Sequence, residues 1–255
     1  MILSGHRRNP NMIKKLIPRY FHPGNCADRI LKKMLNDRLV RSGPFIGMRY
    51  VRDSQGSVYL PKIVGVYEME IWDVIEQLIS DQFKQIYVVG AGEGYYAIGL
   101  ALRCPGSVVY AFEANIGAHP LILEMAKENN CTNRIFIKGE CDVAGLCDML
   151  SDNPLLIMDV EGAEKILLNP STNPKLLKGT IIFESHFSHE ETDQFILRNF
   201  QDTHSISKFD TCARSWRDLS FLPKIYAFYI RRMLRFWFEE MRGGPMSWYL
   251  LKPRN

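Results

Sequence analysis

The sequence predicts an α/β protein: a doubly wound, mostly parallel seven-stranded sheet, preceded by an N-terminal extension of helix and β-hairpin. Three observations predict it. Short apolar runs rich in β-branched residues recur at 86–89, 108–112, 134–138, 154–158, 180–184 and 203–208, with helical stretches between them. The first run breaks into Gly90-Ala91-Gly92-Glu93-Gly94, and a helical pattern follows over 95–103. The second run ends in Glu113. Strands alternating with helices at this spacing call for right-handed crossovers and a parallel sheet.

Taken in order, residues 1–25 read as a loose basic arm broken by Pro10, Pro18 and Pro23. Apolar residues at helical spacing predict a helix over 27–40. Residues 43–60 read as two short strands about a turn at 53–56, and a helix begins near Val66. The chain therefore divides into an arm and lead-in extension at 1–80 and a nucleotide-binding domain at 81–255. Residues 221–241 are rich in aromatics and carry Arg231, Arg232 and Arg235. They read as a helix packed on the sheet through Phe228, Leu234 and Trp237, with an interfacial membrane helix as the alternative. A last strand at 247–251 closes the sheet edge.

Charge and cysteine usage exclude several classes. The net charge of +4 is uneven: residues 1–20 carry +5 and residues 214–235 carry +5, leaving the rest of the chain at −6. The core is thus no basic nucleic-acid surface, and no nucleic-acid partner is expected. The six cysteines show neither C-x-x-C nor zinc spacing, which points to reduced thiols in a cytoplasmic protein. No apolar run approaches the ~18 residues of a membrane span, and no secretory signal opens the chain. Oligomeric state is not legible.

The glycine turn specifies the chemistry. Glycines let the backbone turn sharply and approach a ligand, and the helix start beyond them offers unpaired N–H groups. Glu113 lies 19 residues after Gly94, where a carboxylate can accept both ribose hydroxyl hydrogens. The dinucleotide fingerprint G-x-G-x-x-G is not met: the glycines read G-x-G-x-G, and Tyr95 takes the place of the third glycine. This spacing fits S-adenosylmethionine better than NAD, which makes an NAD-linked oxidoreductase the weaker alternative.

A second motif, LLIMDVEGAE at 155–164, is an apolar strand ending at Asp159 with Glu161 and Glu164 beyond it. Together with VVGAGEGYYAIG, it resembles the FkbM-type branch of the class I S-adenosylmethionine-dependent methyltransferases. GPFIGMRYV with VYLPKIVGVYEMEI, IIFESH and EMRGGPMSWYLLKP resemble further segments of that branch, so the resemblance spans about 43–253. It implies a Rossmann-like fold whose last strand runs antiparallel, S-adenosylmethionine as cofactor, and methylation of a small-molecule or carbohydrate-like hydroxyl. The branch usually places an acid two residues before the first glycine; here Val88 stands there. That one departure motivates the alternative of a non-catalytic adenosine-ligand binder or scaffold.

Ligands of open α/β sheets sit beyond the carboxyl ends of the strands. The expected cofactor contacts are therefore Gly90, Ala91, Gly92, Glu93, Gly94, Tyr95, Glu113, Ala114, Gly139, Glu140, Cys141 and Asp159. The expected catalytic residues are His186, as base for the acceptor hydroxyl, with Asp159 and Glu161 orienting cofactor and acceptor. Tyr67 and Glu68 fold over the cofactor or pack in the core, and Glu164 is a favourable charge at a helix start. A divalent metal on Asp159, Glu184 and His186 is the less favoured reading, because carboxylates at strand ends also cap helices.

Overall fold

The computed structural model describes residues 35–52, 58–160, 162–186, 190–212 and 246–254. The basic arm, most of the expected helix at 27–40, the turn at 53–56, Glu161 and the aromatic segment 221–241 lie outside the described residues.

Seven strands form one sheet: β1 (Gln85–Val89), β2 (Val108–Phe112), β3 (Ile135–Lys138), β4 (Leu155–Met158), β5 (Thr180–Ser185), β6 (His204–Asp210) and β7 (Ser247–Pro253). Their order is β3-β2-β1-β4-β5-β7-β6. The first five run parallel, and β7 is antiparallel to both β5 and β6. The expected strands are all present, but β7 does not close the edge; it lies between β5 and β6. Its composition explains the place. Trp248, Tyr249, Leu250 and Leu251 are buried on both faces, as an interior strand requires. In β6 most side chains are half-buried or exposed, which suits an edge.

Strand alternation sorts the core into two layers. Ile86, Val88, Val109, Ala111, Leu155, Ile157 and Ile182 face one side. There they meet α2 (Trp72–Ser80), α3 (Tyr95–Arg103) and α4 (His119–Glu128), which follow α1 (Tyr59–Val64) in the chain. Tyr87, Val89, Leu156, Met158, Ile181 and Phe183 face the other side. They meet α5 (Val143–Met149), α6 (Glu164–Leu167) and α7 (Glu190–Phe200).

The extension departs from its expected form. On its described residues 43–60 do not make a strand pair: Gly43 and Gly47 take positive φ, a turn forms between them, and the bridge runs from Leu39 to Arg49. Residues 35–40, expected in a helix, instead make a separate turn at 35–37, closed by the Arg38 N–H on the Leu35 carbonyl, and enter the bridge at Leu39. Tyr59 and Leu60 open α1, because Pro61 falls in its first turn, where a missing N–H costs nothing. The helix expected from Val66 starts at Trp72. Glu68 takes a left-handed conformation (φ 47°) before a short 3-10 turn at Met69–Ile71, and its buried carboxylate accepts a hydrogen bond from the Tyr96 hydroxyl.

Apolar packing holds the extension down. Phe45, Met48, Tyr50, Val51, Ile63 and Val64 are buried in the layer shared with the sheet. Arg38 also pairs with Glu124 and Glu128 on α4. These carboxylates are partly exposed, so the pairs contribute at most about 1 kcal/mol each, whereas each fully buried apolar side chain contributes ~1.5–3 kcal/mol.

Candidate functional site

The strand order reverses between β1 and β4, and the carboxyl ends of these strands open a cavity of about 550 Å³. That lies within the range of small-molecule and cofactor sites. The backbone dictates its floor. Gly90 and Ala91 donate their N–H groups to the Phe112 carbonyl at 3.0 and 2.9 Å, folding the turn over β2. The Asp159 N–H donates to the Val89 carbonyl at 2.9 Å, so the end of β4 stays against the same turn. Gly90, at φ +81°, comes so near that a Cβ there would sit 1.8 Å from the Asp159 carbonyl oxygen.

Glu113 locks this floor to the next strand. Its Oε2 accepts the Gly92 N–H at 2.7 Å and its Oε1 accepts the Asn115 N–H at 2.7 Å. Each carboxylate oxygen retains further acceptor capacity toward the cavity, which Glu113 lines.

Of the expected cofactor contacts, Gly90, Ala91, Gly92, Glu93, Tyr95, Glu113, Ala114, Glu140, Cys141 and Asp159 line the cavity. Gly94 instead caps α3, and Gly139 is not part of the lining. Burial and the nearby Asp142 push the Cys141 thiol up to about 12, so it presents a neutral, weakly polar surface. Tyr67 also lines the cavity. Glu68 lies beside it in the chain, fully buried.

Sequence reasoning missed Lys62. Its Nζ lies 2.7 Å from Glu93 Oε1, 4.8 Å from the centre of the Tyr67 ring and 5.6 Å from that of Tyr95. The Tyr50 hydroxyl donates to the same Glu93 oxygen. The signal was present: one lysine within the apolar run 60–66. Val88 points into the apolar layer and does not line the cavity. Glu93 does, and its buried Oε2 has no hydrogen-bond partner among the described residues. An ammonium group in the cavity would satisfy it.

At the far wall four titratable side chains meet. His186, just beyond β5, holds its Nε2 3.6 Å from Asp159 Oδ1 and 3.5 Å from Glu184 Oε2. Its Nδ1 is 3.6 Å from Glu164 Oε1. Asp159 lines the cavity, and His186 stands behind it. Glu164 is more than a charge at a helix start, being 2% exposed with one oxygen turned to the imidazole.

No protein-family model and no curated protein sequence matches the chain. Solved structures do resemble it. The METTL16 MTase domain shares 12% identity, covers 94% of this chain and 84% of its own, and superposes with a TM-score of 0.54. A SAM-dependent O-methyltransferase from Thermotoga maritima has 14% identity, covers 72% and 64%, and scores 0.44. A precorrin-6y C5,15-methyltransferase from Geobacter metallireducens has 12% identity, covers 72% and 88%, and scores 0.46. At these identities the likeness is one of fold: a seven-stranded, mostly parallel Rossmann-like sheet, as in the METTL16 MTase domain. Among the described residues no helix is long and apolar enough to cross a membrane.

Proposed function

We propose that this protein is an S-adenosylmethionine-dependent methyltransferase acting on a hydroxyl of a small-molecule or carbohydrate-like acceptor. The observation that carries the cofactor reading is the Glu113 carboxylate, tied to the Gly92 and Asn115 N–H groups and facing the cavity. The residues fit the group. Glu113 takes the ribose hydroxyls, Cys141, Ala114 and Phe112 give the adenine an apolar slot, and Glu93 Oε2 takes the methionine ammonium. When bound, the cofactor supplies an electrophilic methyl on sulfur, and transfer leaves the thioether. The chain supplies alignment and the loss of the acceptor proton. That proton leaves at the Asp159–Glu184–His186 cluster; the choice of oxygen as acceptor atom rests on this cluster and on the FkbM resemblance. Glu161, outside the described residues, is the further acceptor-orienting residue.

Calorimetric titration with S-adenosylmethionine, its demethylated product and NAD tests this. The first two should bind at micromolar strength and NAD should not. Glu113→Ala should weaken binding at least about tenfold, since one charge-assisted ribose contact contributes ~1.5–3 kcal/mol. Binding unchanged in Glu113→Ala would remove the cofactor reading. His186→Ala should keep cofactor affinity, because His186 does not line the cavity, and should lower kcat about 100-fold or more. Binding without turnover across a broad acceptor screen would favour the scaffold reading that Val88 motivates.

A further inference from the structure

We propose that Asp159, Glu184 and His186 form a site for one divalent first-row metal cation, with Glu164 as the buried carboxylate that orients the histidine. The inference deepens the methyl-transfer reading, and it rests on that reading only for its catalytic consequence. One oxygen each of Asp159 and Glu184 and one nitrogen of His186 all lie within 4.8 Å of one another. The two distances measured to Nε2 are 3.5 and 3.6 Å. A cation about 2.0–2.3 Å from each ligand places ligand atoms roughly 3–4 Å apart, so small side-chain rotations close the set.

Three features point to a cation rather than to a plain acidic patch. The first is charge: among the described residues, three carboxylates lie within 3.6 Å of one imidazole. Glu184 and Glu164 have side chains only 5% and 2% exposed, so little of their charge is turned to solvent. The second is Glu164. Its Oε2 accepts the Gly162 N–H at 3.1 Å, while its buried Oε1 has no hydrogen-bond partner among the described residues and stands 3.6 Å from His186 Nδ1. A histidine that ligates a metal through Nε2 carries its proton on Nδ1 and donates it to such a carboxylate. The third is scaffolding. Asp159 follows β4, Glu184 lies within β5 and His186 follows it, and the two-residue strand period turns 184 and 186 to one face.

One imidazole with two carboxylates favours Mn²⁺, Fe²⁺ or Zn²⁺ over the all-oxygen preference of Ca²⁺. Three protein ligands leave coordination positions open toward the cavity that Asp159 lines. An acceptor hydroxyl ligated there loses its proton to solvent water; its oxygen then forms the bond to the methyl as the sulfur–methyl bond breaks and the electron pair stays on sulfur. In this state His186 is a ligand and not the base.

The test uses the whole chain, freed of metal with a chelator and without cofactor, titrated with Mn²⁺ and followed by the electron paramagnetic resonance of the free ion. One Mn²⁺ per chain is expected, displaced by Zn²⁺. Glu184→Gln and Asp159→Asn, which remove charge at nearly constant volume, should each weaken binding more than tenfold. Glu164→Gln should weaken it about 10–100-fold. The exposed Asp152→Asn should change nothing. Absence of saturable binding by the wild type, or binding indifferent to Glu184→Gln, overturns the site. Should a variant fail to fold, the wild-type Mn²⁺ complex still decides: coupling to one imidazole nitrogen supports the site, and its absence refutes it. No cofactor is present, so failure here leaves the S-adenosylmethionine titration standing, and failure there leaves the metal result standing.

Discussion

Gly90→Ala should lower the melting temperature by about 10 °C or more and abolish cofactor binding. The added Cβ would lie 1.8 Å from the Asp159 carbonyl oxygen and 2.8 Å from its carbon, and both are backbone atoms. The neighbouring chain cannot retreat, because the Asp159 N–H is bonded to Val89 and β4 pairs with β1 along its length. A φ of +81° adds strain that only glycine escapes. Left-handed strain of about 1–2 kcal/mol and overpacking of about 1–3 kcal/mol together approach 4 kcal/mol, and each kcal/mol shifts the midpoint of a chain this size by ~2–4 °C. Gly106→Ala, where an added Cβ meets nothing within 4 Å, should melt with the wild type. A Gly90→Ala protein melting within 2 °C of wild type would mean that the turn does not pack against the end of β4.

That turn was legible because everything that makes it is local. The run 86–89, three glycines and the pattern at 95–103 lie within 18 consecutive residues, and the structure places β1 and α3 there. Glu113 was legible for the same reason, being the next strand end. What the sequence hid depends on distant partners. Nothing near Lys62 in the chain announces that it faces Glu93, 31 residues away. β7 was placed at the edge because its neighbours cannot be read from its own residues; its two buried faces, Trp248 and Leu250 against Tyr249 and Leu251, were the available sign of an interior strand. The helix at Tyr59–Val64 was not read from the sequence, although the first turn of a helix tolerates a proline such as Pro61. The Asp159–Glu184–His186 grouping was half legible. The strand ends could be aligned by topology, whereas the turning of Glu164 Oε1 toward the same imidazole needed coordinates.

Lys62→Met should cost about 3–5 kcal/mol at neutral pH, a loss of ~10 °C in melting temperature, and most of that loss should return in Lys62→Met/Glu93→Gln. The side chains of Lys62 and Glu93 are 7% and 1% exposed, so removing the lysine leaves a buried carboxylate without its counter-charge. Tyr50 cannot replace it. Burial first, and then the charge of Glu93, hold the Tyr50 hydroxyl well above its usual range, so it stays a neutral donor. The pH dependence separates this account from simple loss of packing. Burial works to raise the Glu93 carboxyl, but the charge and hydrogen bond of Lys62, with the Tyr50 hydroxyl, outweigh it and hold the group below its usual value. A carboxyl depressed on folding contributes stability that is present above its unfolded value and is lost as pH falls through the folded one. Wild type should therefore keep this contribution above the usual carboxylate range and lose it as pH falls below that range. In Lys62→Met burial acts unopposed by the lysine, the carboxyl rises above its unfolded value, and folding takes up a proton. The variant should gain on wild type as pH falls from 7 toward 5, and the double variant should show no such gain. Parallel melting curves for Lys62→Met and wild type across that range would mean that the lysine stabilises through its aliphatic stem over Tyr67 and Tyr95, and that Glu93 is not held as a buried charge.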